Sequence, residues 1–161
     1  MSVLLIAFLF GTIVGSCINV VSYRLPLILD RNWIHESSSF LKSKGIGIKD
    51  APASNQYETF NLLWPPSHCI HCKQTIKPWN NIPLVSYFIL KKHCSICKKE
   101  ISWRYPIVEL ISGCSAGLIA YNFELSLTSF LMMLFVWSLL TITIIDINHY
   151  LIPDELTLPL L

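Results

Sequence analysis

The sequence predicts an all-α polytopic membrane protein with about three transmembrane helices, the start of a fourth, and a small zinc-ribbon-like cytoplasmic loop. Three observations support this fold class. The 161 residues have a mean hydropathy of +0.53 and only 14% charged residues, which is too apolar for an ordinary soluble domain. Two runs of 21 residues contain no charge, and each is long enough to cross a hydrocarbon core of about 30 Å. Between these runs, a polar segment contains one cysteine motif twice.

The first predicted element is a transmembrane helix within residues 1–23, because residues 3–23 form the first uncharged run. The residues before this run include no Lys or Arg, so a cleaved lipoprotein-like signal ending at Cys17 is disfavoured. Gly11 and Gly15 have the spacing that lets membrane helices approach closely, as do Gly113 and Gly117 later in the chain. Glycines are common in such helices, so chance spacing is the alternative.

The second region is a polar loop, residues 24–106, that contains all twelve Lys and Arg residues. By the positive-inside rule this loop is predicted to face the cytoplasm, with the N-terminus outside. Residues 30–63 are polar and weakly patterned. Residues 82–90 are apolar but too short to span, and we expect them to form a strand pair or turn over the metal site.

The repeated motif lies within residues 68–101 and reads H-C-x-x-C-K-x-x-I in both copies, which start 25 residues apart. Two C-x-x-C pairs at this separation predict a tetrahedral four-thiolate Zn²⁺ site made by Cys69, Cys72, Cys94 and Cys97. Four protein ligands close the coordination shell, so this zinc is expected to fold the loop rather than to catalyse. Disulfides or free thiols are the alternative, and a reducing cytoplasmic location favours the metal.

Other cysteines and histidines are predicted to have lesser roles. Four thiolates already satisfy the metal, so the nearby histidines are expected to lie around the site or on the surface (His68, His71 and His93). Cys17 and Cys114 lie within apolar stretches and are predicted to be small packing residues.

The third region, residues 107–161, is predicted to contain helices at 107–123 and 125–145 and the start of another from residue 154. Asp146 directly follows the second uncharged run, and a carboxylate at membrane depth is a functional candidate by default. The alternative is an interfacial Asp that ends the helix. Pro153 is predicted to start a new element, with Asp154 in its first turn. Eight residues of continuous helix would separate Asp146 and Asp154 by about 12 Å, so a catalytic dyad requires the chain to fold back.

Four blocks of the sequence together resemble the N-terminal part of the type IV prepilin leader peptidases. The first block, residues 15–26, is similar to the family pattern G-S-F-x-N-V-x-x-x-R-x-P. The second consists of the two cysteine knuckles with residues 81–87 between them. Residues 104–110 form the third block, and residues 146–159 form the fourth. The blocks occur in the family's order over nearly the whole chain.

The resemblance implies two activities in a bacterial inner membrane. One is proteolysis that removes the basic leader of type IV prepilins or pseudopilins after a glycine, for pilus or type II secretion biogenesis. The other is methylation of the new N-terminal residue with S-adenosylmethionine. It also implies that Asp146 is a primary catalytic carboxylate of an aspartic endopeptidase and that Asp154 is a supporting one. Acidic residues near the cytoplasmic face are candidate contacts for the basic leader (Glu109, Asp146, Asp154 and Glu155).

The chain also departs from the family pattern. The family's other catalytic aspartate lies in a Gly-x-Gly-Asp motif, which does not occur in these 161 residues. We therefore expect a truncated or split enzyme that is inactive alone and regains activity if a separate chain supplies the C-terminal helices. Near the second knuckle, Lys92 replaces the glycine of the family's L-R-G-R-C pattern.

Two other classes of function are compatible with parts of the sequence. A non-catalytic membrane adaptor would use its zinc module to bind a protein partner, and it would tolerate loss of Asp146 but not of Cys69. Nucleic-acid binding is disfavoured because membrane orientation and contact with anionic membrane lipids account for the basic residues of the loop.

Overall fold

The computed structural model describes residues 1–45, 61–62, 64–69, 71–76, 82–123 and 126–160. In chain order the helices are α1 (Ser2–Ser43), α2 (Val85–Ile89), α3 (Arg104–Phe123), α4 (Leu127–His149) and α5 (Asp154–Thr157), followed by a 3-10 turn (Leu158–Leu160). Within the described ranges the chain forms no strand, only two isolated bridges. The predictions for residues 46–60, Ile70, Asn81 and residue 125 lie outside these ranges.

Three helices, α1, α3 and α4, are long and apolar enough to cross a membrane, which confirms the predicted fold class. Helix α1 differs most from its predicted bounds, because it continues without interruption for 20 residues beyond Tyr23 and even includes Pro26. Residue 24 therefore does not begin an irregular loop. The uncharged run ends there, but the helix does not. The assignments of 1–23 to the membrane and 24–106 to the cytoplasm stay predictions.

The other helices differ less from prediction. Helix α3 begins three residues before the predicted span, at Arg104. Helix α4 continues to His149, so Asp146 lies inside the helix and does not follow it. Residues 82–90 do not form a strand pair: they contain the one-turn helix α2, because Glu109 accepts the hydrogen bond of the backbone N–H at its start. A short helix begins at Asp154 behind Pro153, as predicted.

Helices α1 and α3 pack against each other in antiparallel orientation along a stripe of small residues. A Cβ added to Gly11 would lie 2.6 Å from the carbonyl oxygen of Ser112, and one added to Gly15 would lie 2.7 Å from Cα of Glu109. The Ser112 hydroxyl donates a hydrogen bond of 2.7 Å to the carbonyl of Gly11. The first glycine pair is thus a true helix contact. In the second pair only Gly113 is enclosed, and Gly117 faces open space.

Helix α4 packs on both α1 and α3 and completes the core. Trp137 is buried, contacts the ring of Phe10 at 5.8 Å, and donates to the carbonyl of Ser112 at 3.4 Å. A second cluster of buried apolar residues joins the C-terminal end of α4 to the middle of α1 (Leu25, Leu29 and Ile145). Cys17 and Cys114 do not pack in this core: both are exposed on the outer faces of their helices, which corrects their predicted role.

A four-thiol cluster and an adjoining cavity

The two cysteine knuckles, knuckle 1 (residues 68–76) and knuckle 2 (residues 93–101), have the same backbone hydrogen bonds. In each, the N–H of the first cysteine donates to the carbonyl five residues later, at 2.9 Å from Cys69 and 2.8 Å from Cys94. The N–H four residues after each first cysteine donates back to that cysteine's carbonyl, at 2.9 and 3.1 Å respectively. One isolated bridge closes each knuckle, His68 with Thr75 and His93 with Glu100. The sequence repeat is therefore a structural repeat.

Each knuckle turns through a residue with a left-handed backbone. Lys73 has φ 59° and Lys98 has φ 57°, and both directly follow the second cysteine of their knuckle. This conformation is unfavourable for residues other than glycine. It is adopted here because the turn brings both thiols of the knuckle to the same side.

The four thiols converge on one point between the knuckles. Their Sγ atoms all lie within 4.8 Å of one another, and those of Cys69 and Cys97 are 3.8 Å apart. A tetrahedral zinc ion with Zn–S bonds of about 2.3 Å separates its sulfur ligands by about 3.8 Å. The cysteines are half-buried, and no histidine or carboxylate among the described residues joins the cluster. The predicted ligand set therefore fits a closed tetrahedral site.

The thiols differ in acidity. Backbone N–H groups of Cys97 and Ile96 point at the Cys94 sulfur and lower the pKa of its thiol to about 7. For Cys97, the N–H of Lys99 acts in the lowering direction, but burial and hydrogen bonds with the other three thiols together raise its pKa to about 11. Four sulfurs this close cannot all carry a negative charge unless a cation lies between them, and this is the environment that zinc requires.

The histidines next to the first cysteines bind backbone. Nδ1 of His68 lies 3.1 Å from the carbonyl of Pro66, and Nδ1 of His93 lies 2.5 Å from that of Lys91. These bonds are local and hold the rings beside the knuckles. Both histidines thus lie around the cluster, as predicted.

A buried arginine attaches the chain before knuckle 1 to α1. Arg24 is 5% exposed, and its guanidinium donates to the carbonyls of Asn61, Leu62 and Pro65 at 3.2, 3.1 and 2.6 Å. A planar guanidinium suits this role because its N–H groups diverge in fixed directions. The Arg that precedes Pro26 in the first sequence block therefore positions the loop.

The residues that flank knuckle 2 contact α2 through aromatic rings. The Lys92 ammonium lies 3.9 Å from the ring centroid of Trp103, and Trp103 contacts Tyr87 at 5.6 Å. Lys92 has φ 67°, which explains why the family pattern has glycine at this position. The cation–π contact partly offsets the unfavourable backbone of the lysine.

The knuckles, α1 and the start of α3 enclose a cavity of about 300 Å³. Asn19 from α1, Glu109 from α3 and Tyr87 from α2 line it, together with Cys69 and Cys94 of the four-thiol cluster. Glu109 is 8% exposed; its carboxylate accepts a 2.7 Å hydrogen bond from the N–H of Leu84 and another from the Ser16 hydroxyl. Sequence reasoning placed Glu109 at the membrane boundary but did not find the cavity. The residues that line the cavity are far apart in the sequence.

The two aspartates predicted from the fourth block do not take part in this cavity. Asp146 lies in the last turn of α4 and Asp154 in the first turn of α5. Between the two helices, Tyr150 has a left-handed backbone conformation, with φ 52°. Both side chains are exposed, and neither carboxylate has a hydrogen-bond partner within the described ranges. The structure thus shows two separate acidic groups next to a chain reversal, and it does not bring them into a shared hydrogen bond.

Comparison with known proteins gives a consistent result. The family model described as Bacterial Peptidase A24 N-terminal domain matches residues 9–123. A protein of Stutzerimonas stutzeri is 43% identical over 98% of this chain and 52% of its own length, and one of Pseudomonas aeruginosa is 42% identical over 95% and 50%. A protein of Neisseria gonorrhoeae is 36% identical over 97% and 52%. All three are named prepilin leader peptidase/N-methyltransferase. The chain spans about half the length of these relatives, and no solved structure matches it.

Proposed function

We propose that this chain, which belongs to the bacterial peptidase A24 family, is the zinc-binding membrane part of a prepilin leader peptidase/N-methyltransferase. The observation that carries the proposal is the convergence of four thiols from two knuckles that share the same backbone hydrogen bonds, within a chain whose relatives have that name. Zn²⁺ held by Cys69, Cys72, Cys94 and Cys97 has a structural role in it, and S-adenosylmethionine is the methyl donor. The substrates are type IV prepilins or pseudopilins.

In this proposal the protein lies in the bacterial inner membrane. Residues 1–23, the helix from 107 and the helix that ends near Asp146 span it, and residues 24–106 form a cytoplasmic loop. The distribution of Lys and Arg supports this orientation, and thiolate ligands require a reducing compartment. The N-terminus is then outside, and Asp146 is at the cytoplasmic end of α4, where a basic leader arrives.

Asp146 is proposed as one carboxylate of the protease, with Asp154 in support. Peptide hydrolysis by aspartyl enzymes needs two carboxyls that share a proton, one of which activates water. Asp146 is exposed on a rigid helix end and has no partner within the described ranges, so its carboxylate is accessible to a second carboxyl. That second group is proposed to come from helices equivalent to the remaining half of the relatives, on the same or a separate chain.

The proposal is tested by fusing this chain to the C-terminal half of the Stutzerimonas stutzeri relative. The fusion is co-expressed with a model prepilin in membranes that lack a prepilin peptidase, and the prepilin is analysed by intact mass. We expect leader loss and the mass gain of one methyl group with the fusion, and no leader loss with Asp146→Asn. Cleavage that survives Asp146→Asn would show that another residue is the nucleophile-activating carboxylate.

The adaptor function makes the opposite prediction. It requires the folded zinc module but no carboxylate, so Asp146→Asn would leave the phenotype of the chain intact, whereas Cys69→Ser would abolish it. Asp146 is exposed and its carboxylate accepts no hydrogen bond within the described ranges, so no contact of the described structure assigns it a role in the fold.

A further inference from the structure

We propose that α2 (Val85–Ile89) inserts into the lipid interface of the membrane that α1 and α3 cross, and that Lys91 and Lys92 contact its anionic headgroups. Part of the segment between the two knuckles is then in contact with lipid and not only with the cytoplasm. The inference depends on α1 and α3 crossing the membrane, and it requires neither peptidase nor methyltransferase activity.

The first argument is the depth at which α2 is held. The backbone N–H of Leu84, directly before α2, donates to the Glu109 carboxylate at 2.7 Å, and the same carboxylate accepts a hydrogen bond from the Ser16 hydroxyl. Ser16 lies eight residues before Arg24, the first charged side chain of α1, which is about 12 Å along a helix that rises about 1.5 Å per residue. The start of α2 therefore lies level with the uncharged part of α1, on the membrane side of Arg24.

The second argument is that aromatic residues mark the membrane boundary next to α2. Tyr23, the last residue of the first uncharged run, and Trp103, directly before α3, are both exposed. They lie at similar levels, because Arg104 donates to the Ser22 hydroxyl at 2.8 Å. Exposed Tyr and Trp side chains are enriched where a membrane meets water. Trp103 contacts Tyr87 of α2 at 5.6 Å, so α2 lies between this boundary and the deeper attachment at its start.

The third argument is that most apolar side chains of α2 have little cover within the protein. Phe88 and Ile89 are 70% and 72% exposed, and Val85 is 49% exposed. Tyr87 is the one buried residue of this helix. Neighbouring exposed apolar side chains mark a surface that contacts protein or membrane. Because α2 is held level with the uncharged part of α1, the membrane is the surface within its reach.

The fourth argument is the charge of the same segment. Residues 82–92 include Lys91 and Lys92 and no Asp or Glu. Both lysines are exposed, and the Lys92 ammonium lies 3.9 Å from the ring centroid of Trp103, at the boundary. Lysines close to a membrane surface are attracted to anionic headgroups. Apolar side chains followed by cations are typical of an interfacial element, and this charge favours an anionic bilayer over a protein partner.

The depth of α2 can be measured on the zinc-loaded chain in nanodiscs of phosphatidylcholine and phosphatidylglycerol. Trifluoromethyl-phenylalanine replaces one phenylalanine at a time, and its fluorine relaxation is recorded with dissolved oxygen, which concentrates in lipid, and with a neutral gadolinium chelate, which stays in water. Phe88 is the test position. The references are two other exposed phenylalanines, Phe135 in the middle of α4 for lipid and Phe40 of α1, far beyond Arg24, for water. We expect the ratio of the oxygen effect to the chelate effect to be about fivefold higher at Phe88 than at Phe40.

The other outcomes would overturn the proposal. Equal ratios at Phe88 and Phe40 would show that α2 lies in water. Shielding of Phe88 from both reagents would show that a protein surface covers it. If Phe135 had the same ratio as Phe40, the membrane placement in the proposed function would be wrong as well. A fusion protein that does not cleave prepilin would count against the proposed function alone, because the depth measurement needs no turnover.

Lys91→Gln tests the headgroup contact. It removes one charge next to α2 and leaves the contact between Lys92 and Trp103 in place. In membranes with phosphatidylglycerol we expect hydrogen exchange of residues 85–90 to increase about fivefold, the effect of one lysine near an anionic surface, with no change in phosphatidylcholine alone. Lys42→Gln, at an exposed position of α1 far beyond Arg24, is the matched control. An equal increase in both membranes, or none in either, would contradict the headgroup contact.

Discussion

The knuckle module, meaning the described residues between Asn61 and Trp103, and the bundle of α1, α3 and α4 are stabilised in different ways. In the described part of the module, Tyr87 is the one apolar side chain that is fully buried, and the hydrogen bonds within each knuckle join residues no more than nine positions apart. The bundle has two clusters of buried apolar residues and close backbone contacts between helices. Close packing stabilises the bundle, whereas the module lacks such a core in its described part, and we expect metal binding to stabilise it.

Within the described residues, specific hydrogen bonds join the two regions. Arg24 connects α1 to the start of the module, and Glu109 connects α3 to α2. A change that removes the metal should therefore leave the bundle intact. A change in the helix interface should act on both, since the module is held on that interface.

Removal of zinc should destabilise the module more than any single substitution considered below. Binding of structural zinc supplies about 10–16 kcal/mol of folding free energy in small zinc domains. A chelator, or Cys69→Ser, should unfold both knuckles and leave α1, α3 and α4 protected, as measured by hydrogen exchange in nanodiscs. Cys17→Ser, at an exposed cysteine outside the cluster, is the control. Loss of protection throughout the bundle would show that the two regions are one cooperative unit.

Acid should have the same effect as chelation. The pKa of Cys94 in the folded chain, about 7, is below its ordinary value of 9.0. The stabilisation from this thiolate is therefore complete above pH 9 and is lost as the pH falls through about 7. Zinc affinity, followed with a competing chelator, should decrease as the pH is lowered. An affinity that does not change between pH 8 and 6 would contradict thiolate ligation.

The next effect concerns the contact between α1 and α3. In Gly11→Val the new side chain would meet the Ser112 carbonyl and Ala116, and backbone cannot yield as a flexible side chain does. We expect destabilisation of about 3 kcal/mol, from overpacking. Gly117→Val is the matched control, because a Cβ there meets nothing within 4 Å. Thermal unfolding in detergent measures both, and equal Tm values for the two variants would contradict the observed interface.

A smaller effect is expected at the attachment of the module. Arg24→Met keeps much of the apolar stem but removes the donors to three carbonyls, so we expect a loss of about 2 kcal/mol. Hydrogen exchange should increase in residues 61–69 while zinc stays bound. Lys42→Met, at an exposed position of the same helix, should change neither the stability nor the hydrogen exchange of these residues. Zinc release from Arg24→Met would mean that the attachment and the metal site are not separable.

The smallest expected effect on stability is that of Asp146→Asn, within about 0.5 kcal/mol, because the carboxylate is exposed and has no partner within the described ranges. The same change is expected to abolish prepilin cleavage by the fusion protein. On one preparation, Tm measures the change in stability and intact-mass analysis of the prepilin measures the loss of cleavage. A large loss of stability would identify Asp146 as a structural residue of the helix end.

The sequence was sufficient for the knuckles because their contacts are local and their motif is repeated. It was also sufficient for the number of long apolar helices. The C-terminal ends of α1 and α4 were predicted too early, at Tyr23 and Ile145, because hydropathy reports where apolar character ends, and helices continue past that point. The cavity was not predictable: Asn19 and Tyr105 are 86 residues apart, and only the helix register brings them together.

The shared wall of the cavity has a thermodynamic consequence. Cys69 and Cys94 belong to the four-thiol cluster and also line the cavity, so release of a zinc ion held by that cluster would disturb part of the cavity wall. Linkage is reciprocal: a cavity ligand that binds the zinc-loaded form better must itself raise the affinity for zinc by the same factor. Metal retention in the presence of a ligand thus becomes a reporter of cavity occupancy that needs no catalytic turnover.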